Sequence, residues 1–169
     1  MKKLILGLAI GLLLPCIGGY LFIVSGAMPV STKSPPLPFE KFIARKALHA
    51  AMKNEIGKPS PLEANETTFI QGAKIYQNQC AVCHGLPGQS KSFIAQGLFP
   101  RPPQLFKGHG VTDDPVGKTY WTVKNGIRLT GMPGFEGSLG DSEMWSVSLL
   151  LSNADKLPPS VKNILVPHY

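Results

Sequence analysis

Three side chains in five residues carry the chemistry of this chain: Cys80 and Cys83, with His84 directly after, in Cys80-Ala81-Val82-Cys83-His84. Two cysteines three positions apart lie close to one helical turn apart, so both thiols project to the same side. C-x-x-C-H is the spacing for covalent attachment of c-type haem. Each thiol can add to one haem vinyl group as a thioether, and the next residue offers its imidazole to the iron. Other uses of the pair fit less of the sequence. A thioredoxin-like pair needs a βαβ setting, and no strand alternation surrounds it. A structural zinc ion needs four ligands, and the third cysteine, Cys16, lies in an apolar N-terminal stretch. A plain disulfide suits an exported protein but leaves His84 without a role.

A six-coordinate iron needs a second ligand on its other face. Met28 and Met52 precede the compact part of the chain, and Met144 occupies the first turn of a helix that needs it for packing. Met132 lies in Gly126-Ile127-Arg128-Leu129-Thr130-Gly131-Met132-Pro133-Gly134-Phe135, a loop between two helices. Gly131 and Pro133 would let the backbone approach a ring and hold the thioether in place. The metal ligands expected are therefore His84 and Met132. Soft thioether sulfur stabilises reduced iron and raises the potential. Full coordination also closes the iron to oxygen or peroxide, which favours electron transfer over catalysis. The competing reading is a haem enzyme or ligand sensor, peroxidase-like, with a labile distal ligand. His109 is its one candidate acid–base residue.

The elements that must position these residues can be read from composition and periodicity. Gly (18) and Pro (16) make up about a fifth of the 169 residues, and only 16% are charged, against roughly 25% in a typical soluble domain. After Met1-Lys2-Lys3 come 24 uncharged residues, Leu4 to Ala27. That exceeds the apolar stretch of about 7–15 residues in a cleavable signal and meets the roughly 20 needed to cross a bilayer. Residues 1–28 thus read as a transmembrane anchor, or an uncleaved signal. Ser25-Gly26-Ala27 leaves processing open. Lys2 and Lys3 should stay cytoplasmic and send the remainder outward. Residues 29–63 read as a proline-rich tether with one amphipathic helix, Phe39 to Ile56. That helix suits either an arm on a membrane or partner, or packing on its own domain. Residues 64–169 form the compact domain. Its expected helices run from Thr67 or Thr68 to about Gln79, from Asp113-Asp114-Pro115 to Gly126, and from Asp141 onward. The fold class expected is all-α.

The chain here resembles the class I cytochromes c, over roughly residues 66–155. Gly72-Ala73-Lys74-Ile75-Tyr76, Cys80 to Gly85, Met132-Pro133 and Trp145 carry the resemblance. It implies a helical domain around one covalently bound haem c, with the first and last helices crossing near Gly72. Tyr76 and Trp145 would pack around that crossing. The segment Leu98-Phe99-Pro100-Arg101-Pro102-Pro103-Gln104-Leu105 departs from the shorter loop of many relatives. One of Pro100, Pro102 or Pro103 should orient His84 through its Nδ1 proton, Pro102 or Pro103 before Pro100. Arg101 reads equally as a propionate partner or a solvated loop residue. Trp121, with Tyr120, reads as haem-edge contact or plain core, and Arg128 is similarly open.

The expectation that follows is a one-electron carrier, a membrane-anchored mono-haem cytochrome c with its haem domain on the periplasmic side. It would pass electrons between respiratory or dehydrogenase partners, alone or as a subunit of an oxidoreductase complex, with no small-molecule substrate. Leaving out Lys2 and Lys3, 15 Lys and Arg stand against 10 Asp and Glu, a balance of +5. That suits redox partners with acidic docking surfaces. Lys74, Lys91, Lys107, Lys118 and Lys124 could ring an exposed haem edge. No Lys/Arg run of the kind that tracks nucleic acid is present.

Overall fold

The computed structural model describes residues 1–107 and 114–166. It divides into two compact units, Met1–Lys41 and Phe42–Tyr169. Among the described residues every regular element is helical. The smaller unit is built on helix α1, Lys2–Val24, whose side chains are all exposed. Its 23 residues give a length of about 35 Å at ~1.5 Å per residue, enough for a hydrocarbon core of about 30 Å. Pro15 lies within it.

The next helix, α2, runs Glu40–Met52, shorter at both ends than the periodicity suggests. The Glu40 carboxylate accepts from the Leu37 N–H at 2.8 Å and fixes its start. Its far end belongs to the larger unit. Met52 is buried and Leu48 half-buried, and the turn beyond them runs over Gly117. A Cβ at Gly117 would lie 2.2 Å from the Glu55 carbonyl oxygen. The opposite face, with Phe42 and Ile43, is exposed.

Helices α3 (Glu66–Ile75), α6 (Val116–Asn125) and α7 (Asp141–Ser152) form the core. Two short helices, α4 (Ala81–His84) and α5 (Phe93–Gly97), lie between α3 and α6, and α8 (Pro159–Ile164) follows α7. The cap of α3 is Asn65, whose side chain accepts from the Thr68 N–H at 3.0 Å. The sequence points to a threonine cap at 67 or 68, but Asn65 sits where the chain is still extended, which is what a cap requires. Helix α7 begins at Asp141 as its sequence signals, and α6 stops at Gly126.

Helix α7 buries eight consecutive residues, Met144 to Leu151. It can do so because α3 meets it at Gly72, where a Cβ would lie 2.4 Å from the Ser146 carbonyl oxygen. Any larger residue at 72 would push the two helices apart. The buried Ser146 and Ser148 hydroxyls donate to the Ser142 and Met144 carbonyls at 2.8 and 2.7 Å, so neither is left unpaired. On its other side α7 meets α6, where Tyr120 and Trp145 stack with ring centres 3.9 Å apart. Helix α8 closes the core against α3, burying Val161 and Leu165. Full burial of such aliphatic side chains contributes about 1.5–3 kcal/mol each.

Candidate haem-attachment site

The attachment sequence sits on a modified helix end. After Ile75 the helix widens into one π turn, Tyr76–Cys80, and then tightens into α4. Such single π turns recur at functional sites because they re-aim side chains without ending the helix. Gly85 ends α4 with φ +74°, a conformation that favours glycine. Tyr76 is fully buried and its hydroxyl donates to the Gly85 carbonyl at 2.7 Å. Its ring meets Phe106 edge-on, centroids 4.9 Å apart. The π turn and the residue after His84 are thus joined through one side chain.

His84 is half-buried, and its Nδ1 lies 2.8 Å from the Pro103 carbonyl oxygen. A carbonyl can only accept, so Nδ1 carries the proton and Nε2 presents its lone pair. Of the three candidate prolines, Pro103 is the one that orients the ring. Burial pushes the His84 pKa down, opposed in part by this hydrogen bond. The neutral imidazole is the form that binds a metal. The loop carrying Pro103 is itself tied back: the Gln104 side chain donates to the Gln89 carbonyl at 2.7 Å, and the Leu86 N–H donates to the Gln89 side chain at 3.0 Å.

Cys80 and Cys83 are both free thiols and half-buried. Burial, with Cys83 beside it, pushes the Cys80 thiol up to about 12. Among the described residues there is no strand, so the βαβ setting of a thioredoxin-like pair is absent there. Among the described residues no group of three or more His, Cys, Asp or Glu could hold a metal ion, so the zinc reading lacks its ligand set there. Two half-buried thiols three residues apart, followed by an imidazole with a fixed tautomer, fit a covalently held haem. Val82, between the cysteines, is tied to α5 by the Ser92 hydroxyl, which donates to its carbonyl at 2.5 Å.

The loop carrying Met132 is built differently. It leaves α6 at Gly126, φ +67°, where a Cβ would lie 2.5 Å from the Gly134 nitrogen. Backbone bonds then pin it on both sides of the methionine. The Ile127 N–H donates to the Met132 carbonyl at 3.1 Å, and the Phe135 N–H donates to the Val123 carbonyl at 3.0 Å. Inside the loop, Thr130 Oγ1 donates to the Ile127 carbonyl at 2.7 Å and accepts from the Met132 N–H at 3.1 Å. Gly131 packs on Leu98, whose Cδ2 would lie 2.6 Å from a Cβ there. Through that contact the methionine loop meets the proline-rich segment that also supplies Pro103.

Met132 itself is half-buried against the core. Arg101 is exposed and Trp121 half-buried on α6, while its neighbour Tyr120 is core. Arg128 is exposed. His49 is exposed on α2, whereas His109 and His168 fall outside the described residues. Of the lysines that could steer a partner, Lys118 pairs with Asp114 at 2.7 Å and Lys124 with Glu136 at 3.2 Å. Lys74, Lys91 and Lys107 are exposed. Sequence reasoning missed the Tyr76 hydroxyl and Gln104, because both act on carbonyls whose positions only the folded loops define.

Residues 68–149 match the family described as cytochrome C oxidase, cbb3-type, subunit III. Comparison with curated proteins returns no match. Among solved structures, a chain of the Kuenenia stuttgartiensis reducing HAO-like protein complex is similar at 26% identity and a TM-score of 0.49. The similarity covers 56% of this chain and 47% of that one, so the chain spans about half that relative's length. With the attachment sequence on its turn, His84 oriented by Pro103, and the family match over residues 68–149, a c-type cytochrome domain is present in this chain.

Proposed function

We infer that the protein is a membrane-anchored, mono-haem electron carrier that passes one electron at a time between redox proteins outside the cytoplasmic membrane. The observation that carries this reading is His84 directly after the two thiols, with Nδ1 committed to Pro103 and Nε2 free to ligate. Cys80 and Cys83 would hold one haem c through thioethers, and His84 and Met132 would ligate its iron. The bound haem supplies an Fe(III)/Fe(II) couple. Pro103 holds the imidazole in one tautomer and one orientation. The bonds of Ile127, Thr130 and Phe135 hold the methionine loop still. Little then has to reorganise when an electron arrives or leaves. Arg101, exposed in the proline-rich segment, and Trp121, half-buried on α6, would be contacts of the haem periphery. Helix α1 supports the anchor, and Lys2 and Lys3 support an outward-facing domain by the positive-inside rule. Lys74, Lys91 and Lys107 support docking on acidic redox partners, and the family match makes a place in an oxidoreductase complex the natural setting.

The test is spectroscopic. The oxidised protein should show the far-red charge-transfer band of a methionine–iron bond, and the reduced native protein should not bind carbon monoxide. Persistence of the band in Met132→Ala would remove Met132 as ligand. Carbon monoxide binding by the native protein would instead favour an open, catalytic iron.

A further inference from the structure

Helix α2 has two apolar faces, and the core uses only one. Leu48 and Met52 turn into the larger unit. On the opposite side Phe42 and Ile43 are 61% and 62% exposed. At about 100° per residue, Phe42, Ile43, Ala47 and Ala50 fall within one arc of roughly 140°. Ala47 and Ala50 are exposed as well. Cations accompany this arc. Lys46 falls inside the arc, between Phe42 and Ala50, and from Glu40 to Lys53 the sequence holds four Lys and Arg against one Glu, whose carboxylate accepts from the Leu37 N–H. Lys41, Arg45, Lys46 and Lys53 are all exposed, and the Lys46 ammonium lies 5.9 Å from the centre of the Phe42 ring.

An exposed apolar stripe interrupted by a lysine, on a segment with an excess of cations, is the pattern of a helix that lies in a bilayer interface. Aromatic and aliphatic side chains enter the acyl boundary while lysines reach up to phosphates. The covalent chain keeps a bilayer within reach. Residues 25–39 separate α1 from α2, and 15 residues span at most about 50 Å fully extended. We propose that the outer face of α2 docks on an anionic bilayer surface beside the anchor, so that the haem domain is held against the membrane rather than swinging freely on its tether. The proposal rests on α1 being a membrane span.

The test uses the full-length haem protein in a Cys16→Ala background, reconstituted into vesicles of phosphatidylcholine with phosphatidylglycerol, or of phosphatidylcholine alone. Spin labels go at Ala50→Cys, on the exposed arc, and at Ala44→Cys, about 120° away by helical geometry. Collision with oxygen, relative to a water-soluble nickel complex, should be severalfold higher at position 50 than at 44 in anionic vesicles. The difference should vanish on combining Arg45→Glu, Lys46→Glu and Lys53→Glu. Equal accessibility at 44 and 50 in anionic vesicles would overturn the proposal. So would a difference that persists unchanged in phosphatidylcholine alone, or one that appears only after a soluble acidic protein is added. If the protein fails to float with vesicles at all, the anchor reading fails. Flotation with a water-exposed label at 50 sinks only the docking of α2.

Discussion

The two loops that meet over the site are held by opposite means. Around His84, side chains do the fixing: Tyr76 to Gly85, Gln104 to Gln89, Ser92 to Val82, and the His84 ring to Pro103. Around Met132, backbone bonds and glycines predominate: Gly126 against Gly134, Gly131 against Leu98, the Ile127 N–H on the Met132 carbonyl and the Phe135 N–H on the Val123 carbonyl of α6. The first arrangement can lose a hydrogen bond and keep its path. The second has no room for an added atom. The His84 loop should therefore tolerate mutation gradually, and the Met132 loop should fail abruptly.

Gly126→Ala should show the largest effect. Its Cβ would meet three backbone atoms of residues 132–134 at 2.5 to 2.7 Å, at a positive φ. Strain of this kind costs on the order of 1–3 kcal/mol before the loop moves. The expected outcome is a drop in melting temperature together with loss of the methionine–iron band. A variant that keeps both would break the contrast. Tyr76→Phe removes one buried hydroxyl and strands the Gly85 carbonyl, for a loss of about 1–3 kcal/mol by denaturant unfolding. Here the methionine band should survive, because the damage lies in the other loop. Gln104→Ala should cost about 1 kcal/mol and leave haem attachment intact. Leu129 has φ +60° and is 91% exposed. Replacing it with glycine relieves a left-handed residue, which costs roughly 1–2 kcal/mol when it carries a Cβ. A small rise in melting temperature is expected, offset in part by the flexibility glycine gives the unfolded chain. A fall instead would mean the exposed side chain has work in the fold.

The contrast also shows what the sequence could reveal. Cys80, Cys83 and His84 are legible because their spacing is local and one turn long. The start of α7 at Asp141 and the stop of α6 at Gly126 are legible for the same reason. Pro103 is not separable from Pro100 or Pro102 by spacing, since the choice depends on how a loop 19 residues on folds back to His84. The periodicity points to Thr67 or Thr68 as the cap of α3, and only the extended backbone at Asn65 moves the cap there. Helices α5 and α8, of five and six residues, are too short for a 3.6-residue period to register. The two-faced character of α2 is visible as periodicity, but only packing tells that Met52 turns inward while Phe42 faces out.

The central claim is that Cys80 and Cys83 each hold the haem covalently, and the pyridine haemochrome of the full-length protein tests it most directly. The native chain should keep its haem through denaturation and show the spectrum of a ring with both vinyl groups saturated. Cys80→Ala and Cys83→Ala should each shift it to the spectrum of a single remaining vinyl. A native chain that releases its haem on denaturation, or single variants with the native spectrum, would contradict the account.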